Sequence, residues 1–206
     1  MAGRKLIKLK TPLGRETVSG LMAGDVVSLD GEIFTLRDKA HKRVFDLLKS
    51  GKEIPFDLRE QAIFHAGPIM RKTKQGWKVV VIGPTTSARL ESFEPELIKR
   101  FKIRAVIGKG GMGKETADAM RETGCVYLAA VGGAAALLSQ GIKKVAGVFW
   151  LNENGEAEAV WQLQVKDFGP LIVAIDAHGK NLFTENENSV KGKEQKQIVM
   201  LTRICL

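Results

Sequence analysis

Two segments of the chain repeat one order of parts: an apolar run, a glycine-rich turn bearing cations and hydroxyls, then helix-favouring sequence. They are WKVVVIGPTTSARLESF at residues 77–93 and RAVIGKGGMGKET at residues 104–116. Residues 79–82 and 105–107 are short, β-branched and bounded by glycine, which predicts buried parallel strands. Such strands deliver their turn residues to a crevice at the carboxyl ends, which helix N-termini also face. Thr85, Thr86, Arg89 and Lys109 are therefore expected to stand together. Two cations, two hydroxyls and unpaired backbone N–H groups suit a small anion, phosphate or carboxylate.

Residues 108–114, Gly-Lys-Gly-Gly-Met-Gly-Lys, match the first seven positions of a phosphate-binding P-loop. The eighth position is Glu115, where a hydroxyl should bind the nucleotide's magnesium and a carboxylate would repel the phosphates. Thr116 comes one residue late. On the residues alone, a stand-alone anion- or nucleotide-binding module stays open, and so does a tight strand-to-helix turn with Lys109 solvated.

With 206 residues, 44% of them hydrophobic, the chain can bury one good core, and one domain with a tail is expected. The net charge of +9 invites a nucleic-acid reading until the charges are located. Arg4, Lys5, Lys8 and Lys10 lie in the first ten residues without an acid, and Lys191, Lys193, Lys196 and Arg203 face only Glu194 near the end. The middle is nearly balanced and aromatics are 6%, which argues against a face that tracks a phosphate backbone. Cys125 and Cys205 are 80 residues apart, without metal-ligand spacing. A cluster needs three or four thiolates, so none is expected on this chain alone. Two unclustered cysteines fit a reducing interior. No signal-peptide core opens the sequence, and the longest apolar run, at 127–138, falls short of the ~20 residues that span a bilayer. The expectation is a cytoplasmic protein without membrane or nucleic-acid partners.

Taken in order, residues 6–9 predict an edge strand and 11–14 a turn. VVSL and EIFTL read as two strands around an Asp30-Gly31 hairpin signal. Arg37 precedes a helix over 39–49, with Ala40, Val44, Leu47 and Leu48 on one face. Residues 55–58 read as a loop and 62–65 as a strand. His41 and His65 read as satisfied core or cap histidines, each without a second metal ligand nearby. A helix is expected over 90–101 with Leu90, Phe93, Leu97 and Phe101 on its apolar side. The cations Lys99, Arg100, Lys102 and Arg104 at its end read as solvated. Then follow a helix at 114–122, a strand at 125–131 and a small-residue helix at 132–139, an alternation that argues for an α/β layer. From residue 145 the period changes to two, giving strands VFWLN, AVWQLQV and LIVAID, with Trp150 and Trp161 as cross-strand core partners. Residues 176–179 read as the turn that closes the last strand.

The turn GPTTSAR at 83–89 and IGKGGM at 107–112 resemble the signature of the C-terminal half of iron–sulfur class I fumarases. That half also occurs as the separate β subunit of two-chain fumarases and L-tartrate dehydratases. AGDVVSLDGEIFTLRDKAH at 23–41, FHAGPI at 64–69 and VGGAAALL at 131–138 fit in family order, so the resemblance covers most of residues 10–185. It implies a swivelling β/β/α domain over residues 1–188, with 189–206 an unplaced tail. It also implies a hydro-lyase acting on a dicarboxylate, fumarate/malate first and tartrate/oxaloacetate second. Arg37, otherwise read as a surface ion pair with Asp38 or a neighbour, becomes a carboxylate ligand with Arg89 and Lys109; Thr85 and Thr86 join them in binding substrate, and Thr85 and Lys109 take the catalytic positions. The resemblance implies a 4Fe-4S cluster on a partner α subunit, whose iron acts as Lewis acid, and a higher oligomer of αβ units.

Overall fold

The computed structural model describes residues 5–130 and 135–185. The strands are β1 (Ile7–Lys10), β2 (Val26–Thr35), β3 (Ala62–Phe64), β4 (Ile69–Thr73), β5 (Gly76–Val81), β6 (Ala105–Gly108), β7 (Val126–Ala130), β8 (Ile142–Phe149) and β9 (Val160–Ile175). The helices are α1 (Arg15–Ser19), α2 (Asp38–Lys49), α3 (Glu94–Phe101), α4 (Lys114–Thr123), α5 (Ala135–Gly141) and α6 (Leu151–Asn154), with a 3-10 turn over Ser87–Leu90.

β1, β2, β3, β6 and β7 run parallel in one mixed sheet. β9 is antiparallel to both β7 and β2, so the pairing passes from β2 through β3, β6, β7 and β9 back to β2. Because side chains alternate across a strand, each strand feeds two cores. Ile33, Phe64, Ile107, Leu128, Trp161 and Phe168 fill one. Phe34, Ile63, Val106 and Tyr127 face the other, against Val44 of α2, Leu97 and Ile98 of α3 and Met120 of α4. Helices therefore lie over the face on which the parallel strands deliver their carboxyl-end turns.

Several sequence expectations are met: the edge strand β1, α2, α4, the buried parallel β6, and the Asp176 turn, where Asp176 N–H reaches Lys180 O at 3.0 Å. Residues 131–134 of the expected strand and small-residue helix lie outside the described residues, as does the whole tail, 189–206.

Others are corrected. Residues 79–82 are not a buried parallel strand: β5 pairs antiparallel with β4 in a separate two-stranded ribbon. It alternates instead, turning Trp77 onto Trp161 with ring centroids 5.3 Å apart and leaving Val80 exposed. VVSL and EIFTL form one ten-residue strand, not a hairpin. Gly31 has φ +106° and lies where β2 and β9 shift register, so its freedom serves a bulge and a close approach to Thr11. AVWQLQV and LIVAID likewise form one sixteen-residue strand, with 168–170 at a second irregularity of the same pairing. The strand expected at VFWLN ends at Phe149; Trp150 is left-handed, packs on Phe56 rather than Trp161, and leads into α6. The helix expected from residue 90 begins at Glu94, because Pro95 suits a first turn and Leu90 belongs to the 3-10 turn. Arg104 is buried, not solvated: it donates to the α4 end at Thr123 O (2.6 Å) and pairs with Glu60 at 2.7 Å.

Gly31→Ala tests the bulge. Its new Cβ would lie 2.5 Å from Thr11 Oγ1 and 2.8 Å from Thr11 O at a positive φ, whereas at Gly51 a Cβ meets nothing within 4 Å. Urea unfolding is expected to give a loss of about 2 kcal/mol or more for Gly31→Ala and about 1 kcal/mol for Gly51→Ala.

Candidate functional site

β2, β3 and β6 end side by side, and the chain from the β4–β5 ribbon returns across those ends. Thr85 N–H donates to His65 O at 2.7 Å, Lys109 N–H to Thr85 O at 3.2 Å, and Ser87 N–H to Lys109 O at 3.0 Å. The GPTTS turn thus threads between the carboxyl ends of β3 and β6, and Thr86 pairs in parallel with Lys109. The Thr85 hydroxyl donates to the same His65 carbonyl at 3.0 Å. With its proton held inward, its oxygen keeps lone pairs for an outside donor.

Arg37 lies two residues past β2 and immediately before α2, so it enters the same edge from the neighbouring strand. Its Nη2 pairs with Glu158 at 3.1 Å and lies 3.9 Å from Asp38, while Nη1 donates to Ala157 O at 3.3 Å. Gly67 makes room for it, since a Cβ there would lie 2.5 Å from Nη1. Arg89 Nη2 reaches the same Asp38 oxygen at 3.4 Å, so one exposed carboxylate stands between the two guanidiniums. The surface ion pair weighed for Arg37 is present, and Glu158 is its stronger partner. Lys109 is exposed and joins no ion pair among the described residues. Arg37, Thr85, Thr86, Arg89 and Lys109 therefore share one edge, joined by backbone pairing on one side and by Asp38 on the other.

The glycine turn at 108–113 is filled. Glu91 accepts from Gly113 N–H at 2.7 Å and Thr116 N–H at 3.0 Å, taking the helix N-terminus that a P-loop offers to phosphate. The Phe183 ring covers Gly111, where a Cβ would lie 2.6 Å from the ring edge. A nucleotide would have to displace both, which weighs against the stand-alone nucleotide-binding reading. Glu91 carried no sequence signal, because it caps a helix more than twenty residues further on.

Beneath this edge lies a cluster that the sequence reading missed. His41, His65 and Glu94 are fully buried, and Glu94 Oε1 lies 2.9 Å from His41 Nε2 and 2.6 Å from His65 Nε2. The expectation that neither histidine has a further ligand-type group nearby is thus overturned: their ligand-type atoms lie within 4.8 Å of one another. The three come from α2, β3 and α3, and no sequence spacing links them. The pairwise distances are hydrogen-bond lengths, shorter than the roughly 3.3 Å between ligands of a tetrahedral ion. Burial raises the Glu94 carboxyl, but attraction to His65 and the imidazole hydrogen bonds outweigh it and hold it at about 2. Burial pushes His65 down, against the pull of Glu94. Burial favours the neutral imidazole, and Ser87 Oγ lies 2.9 Å from its Nδ1.

The residues present do not fit an iron–sulfur cluster. Cys125 is the free cysteine among the described residues; it is buried, and burial pushes its thiol well above the usual range.

Sequence comparison gives these features a family. The description "Fumarase C-terminus" matches residues 2–186. A provisionally named L(+)-tartrate dehydratase subunit beta of Methanocaldococcus jannaschii is 50% identical over 181 residues, 88% of this chain and 93% of that protein. The L(+)-tartrate dehydratase subunit beta of Escherichia coli K12 is 42% identical over 87% of each chain. A provisionally named class I fumarate hydratase of Geobacillus stearothermophilus is 45% identical over 90% of this chain but only 35% of its own length, so the resemblance there is to one part of a longer protein. With both the family match and these relatives spanning nearly the whole described structure, the chain belongs to the Fumarase C-terminus family.

Proposed function

We propose that the chain is the β subunit of a class I hydro-lyase that adds or removes water across a small dicarboxylate, fumarate/malate or tartrate/oxaloacetate. What carries the reading is the gathering of Arg37, Thr85, Thr86, Arg89 and Lys109 on one strand-end edge, in a chain whose relatives are named for these reactions. In this reading residues 1–188 form the swivelling β/β/α domain of that family and residues 189–206 a tail. The protein works in the cytoplasm, in a higher oligomer of αβ units.

Dehydration takes a proton from the carbon beside one carboxylate, and negative charge builds on that carboxylate's oxygens. Arg37, Arg89 and Lys109 supply cations for it. The Arg89–Asp38 pair is long and exposed, the kind worth at most about 1 kcal/mol, so a substrate carboxylate can replace Asp38 at small cost. Guanidinium forks also match a carboxylate's two oxygens, which orients the substrate. Thr85 presents hydroxyl lone pairs at this edge, the geometry of a proton acceptor. A threonine hydroxyl is weakly basic, so its acceptor role depends on the charge around it.

The 4Fe-4S cluster of the class belongs in this reading to the α subunit, whose thiolates would hold it, and this chain supplies the substrate-holding edge. Among the described residues no helix is long and apolar enough to cross a membrane.

Three measurements check the reading. Arg89→Ala or Lys109→Ala, co-assembled with a cysteine-bearing partner, is expected to lower kcat/KM by roughly tenfold or more without loss of fold; near-wild-type kinetics remove that residue from the site. Thr85→Val keeps the shape and deletes the hydroxyl, and is expected to lower kcat far more than it raises KM. A change confined to KM makes Thr85 a binding group. Purified alone and taken through cluster reconstitution, the chain is expected to stay iron-free and inactive on malate and tartrate; stoichiometric iron and sulfide with dehydratase activity overturns the two-subunit reading.

A further inference from the structure

The contacts of the buried hydrogen-bond chain constrain its protons, and the low-held Glu94 carboxyl with the lowered His65 selects among the arrangements they leave open. His41 Nδ1 lies 2.8 Å from the Arg37 carbonyl, which can only accept, so Nδ1 carries hydrogen. At the other end, Tyr127 O–H donates to Ser87 Oγ at 2.9 Å. Burial holds His65 neutral, and beside an ionised Glu94 its hydrogen lies on Nε2, directed at Oε1, which leaves Nδ1 to accept from the Ser87 hydroxyl. Glu94 Oε1 meets His41 Nε2 as well, and an ionised carboxylate there requires hydrogen on that nitrogen too. Both nitrogens of His41 are then protonated.

We propose that Glu94 is a positioning residue: its buried carboxylate holds His41 as an imidazolium and His65 as the neutral Nε2–H tautomer, and through them fixes Arg37, Thr85 and Lys109 in the anion-binding edge. The proposal rests on the hydro-lyase reading for its catalytic consequence, but not for the proton arrangement.

Each contact leads to a site residue. His41 binds the carbonyl of Arg37. The carbonyl of His65 receives both the N–H and the hydroxyl of Thr85. Ser87 lies between Thr86 and Arg89, and its N–H binds the Lys109 carbonyl. Tyr127, pushed up to about 12 chiefly by burial, stays protonated and accepts from the Gly111 backbone, which ties the glycine turn to the same chain. One carboxylate thus joins the start of α2, the end of β3, the 3-10 turn and the turn after β6.

Stability alone does not account for the cluster. Both hydrogen bonds fall on Oε1, and Glu94 Oε2 is buried with no partner. A buried charge left half-satisfied costs free energy, and well-packed apolar replacements of such ion pairs are often neutral or stabilising. The α3 N-terminus, where Glu94 is the first residue, offsets part of that cost. What the charge provides is a fixed arrangement of four segments.

The test combines nuclear magnetic resonance of the full chain with kinetics of the assembled enzyme. Long-range proton–nitrogen spectra at neutral pH are expected to show His41 protonated on both nitrogens and His65 on Nε2 alone. In Glu94→Gln, His41 is expected to become neutral, and amide exchange at Thr85, Ser87 and Lys109 to quicken about tenfold while that of β8 and β9 stays put. A neutral His41 in the wild type, or unchanged exchange in the variant, overturns the proposal, as does stoichiometric binding of added zinc that shifts both histidine spectra. In the assembled enzyme, Glu94→Gln and Glu94→Met are expected to melt near the wild type yet lose roughly tenfold or more in kcat/KM. That loss should shrink severalfold in a Thr85→Val background; strictly additive losses mark a structural role only. A wild-type complex inactive on malate and tartrate sinks the hydro-lyase reading while the spectra still decide the proton arrangement.

Discussion

The antiparallel pairing of β2 with β9 is the contact on which the rest of the architecture depends. It runs from Val26↔Ile172 to Phe34↔Gln162 and joins the two longest strands, which lie far apart in sequence. Without it the parallel strands would form an open sheet with β9 attached only through β7. With it the sheet returns on itself, closing behind the β2, β3 and β6 ends that parallel pairing sets beside one another. Arg37, His65 and Lys109 follow those three ends. The two irregularities of the pairing let strands of such length bend, and Asp167 N–H bonded to Asp30 Oδ1 at 2.6 Å fastens one of them.

That dependence explains which parts were legible in the sequence. Local rules succeeded where local energetics decide: α2 and α4 by apolar spacing, β6 by its short buried run, the Asp176 turn by its composition. They failed where a residue's role is set by a remote partner. Gly31 and Gly169 look like hairpin punctuation, and both are spent on close backbone approach, Gly169 against Val27 O. Positive φ is common to a reversal and a bulge, so sequence could not separate them. The run at 79–82 was misjudged for a related reason. Its length and branching suit a buried parallel strand, but it pairs only with β4 in a separate ribbon and packs on β8 and α5 with one face, so it alternates.

The site was legible to a different degree. Thr85, Thr86, Arg89 and Lys109 are expected together from two parallel strand ends; they do come together, but because the chain leaving the β4–β5 ribbon crosses the ends of β3 and β6 and pairs with Lys109 there. Arg37 came from resemblance, and the geometry adds its route past Gly67 and its pairing with Glu158. Glu91 and Glu94 were invisible. Each is an ordinary acidic residue near the start of a helix, where a solvated first-turn role is the default. One caps a different helix and the other is fully buried, and only tertiary structure separates those roles.

The two acids also divide the electrostatics of the edge. Glu91 consumes the N–H groups at the start of α4, so the glycine turn keeps its shape but loses the anion pocket that such a turn would otherwise offer. Glu94 lies one helix start away, balanced by His41, and contributes no net charge with it. What remains facing outward is the side-chain charge of Arg37, Arg89 and Lys109, offset by the exposed Asp38 and by Glu158. In the proposed function, ligand selection therefore falls to guanidinium and ammonium contacts rather than to a backbone nest. On the proposed reading the substrate's carboxylates meet these cations directly, with guanidinium forks matching carboxylate oxygens.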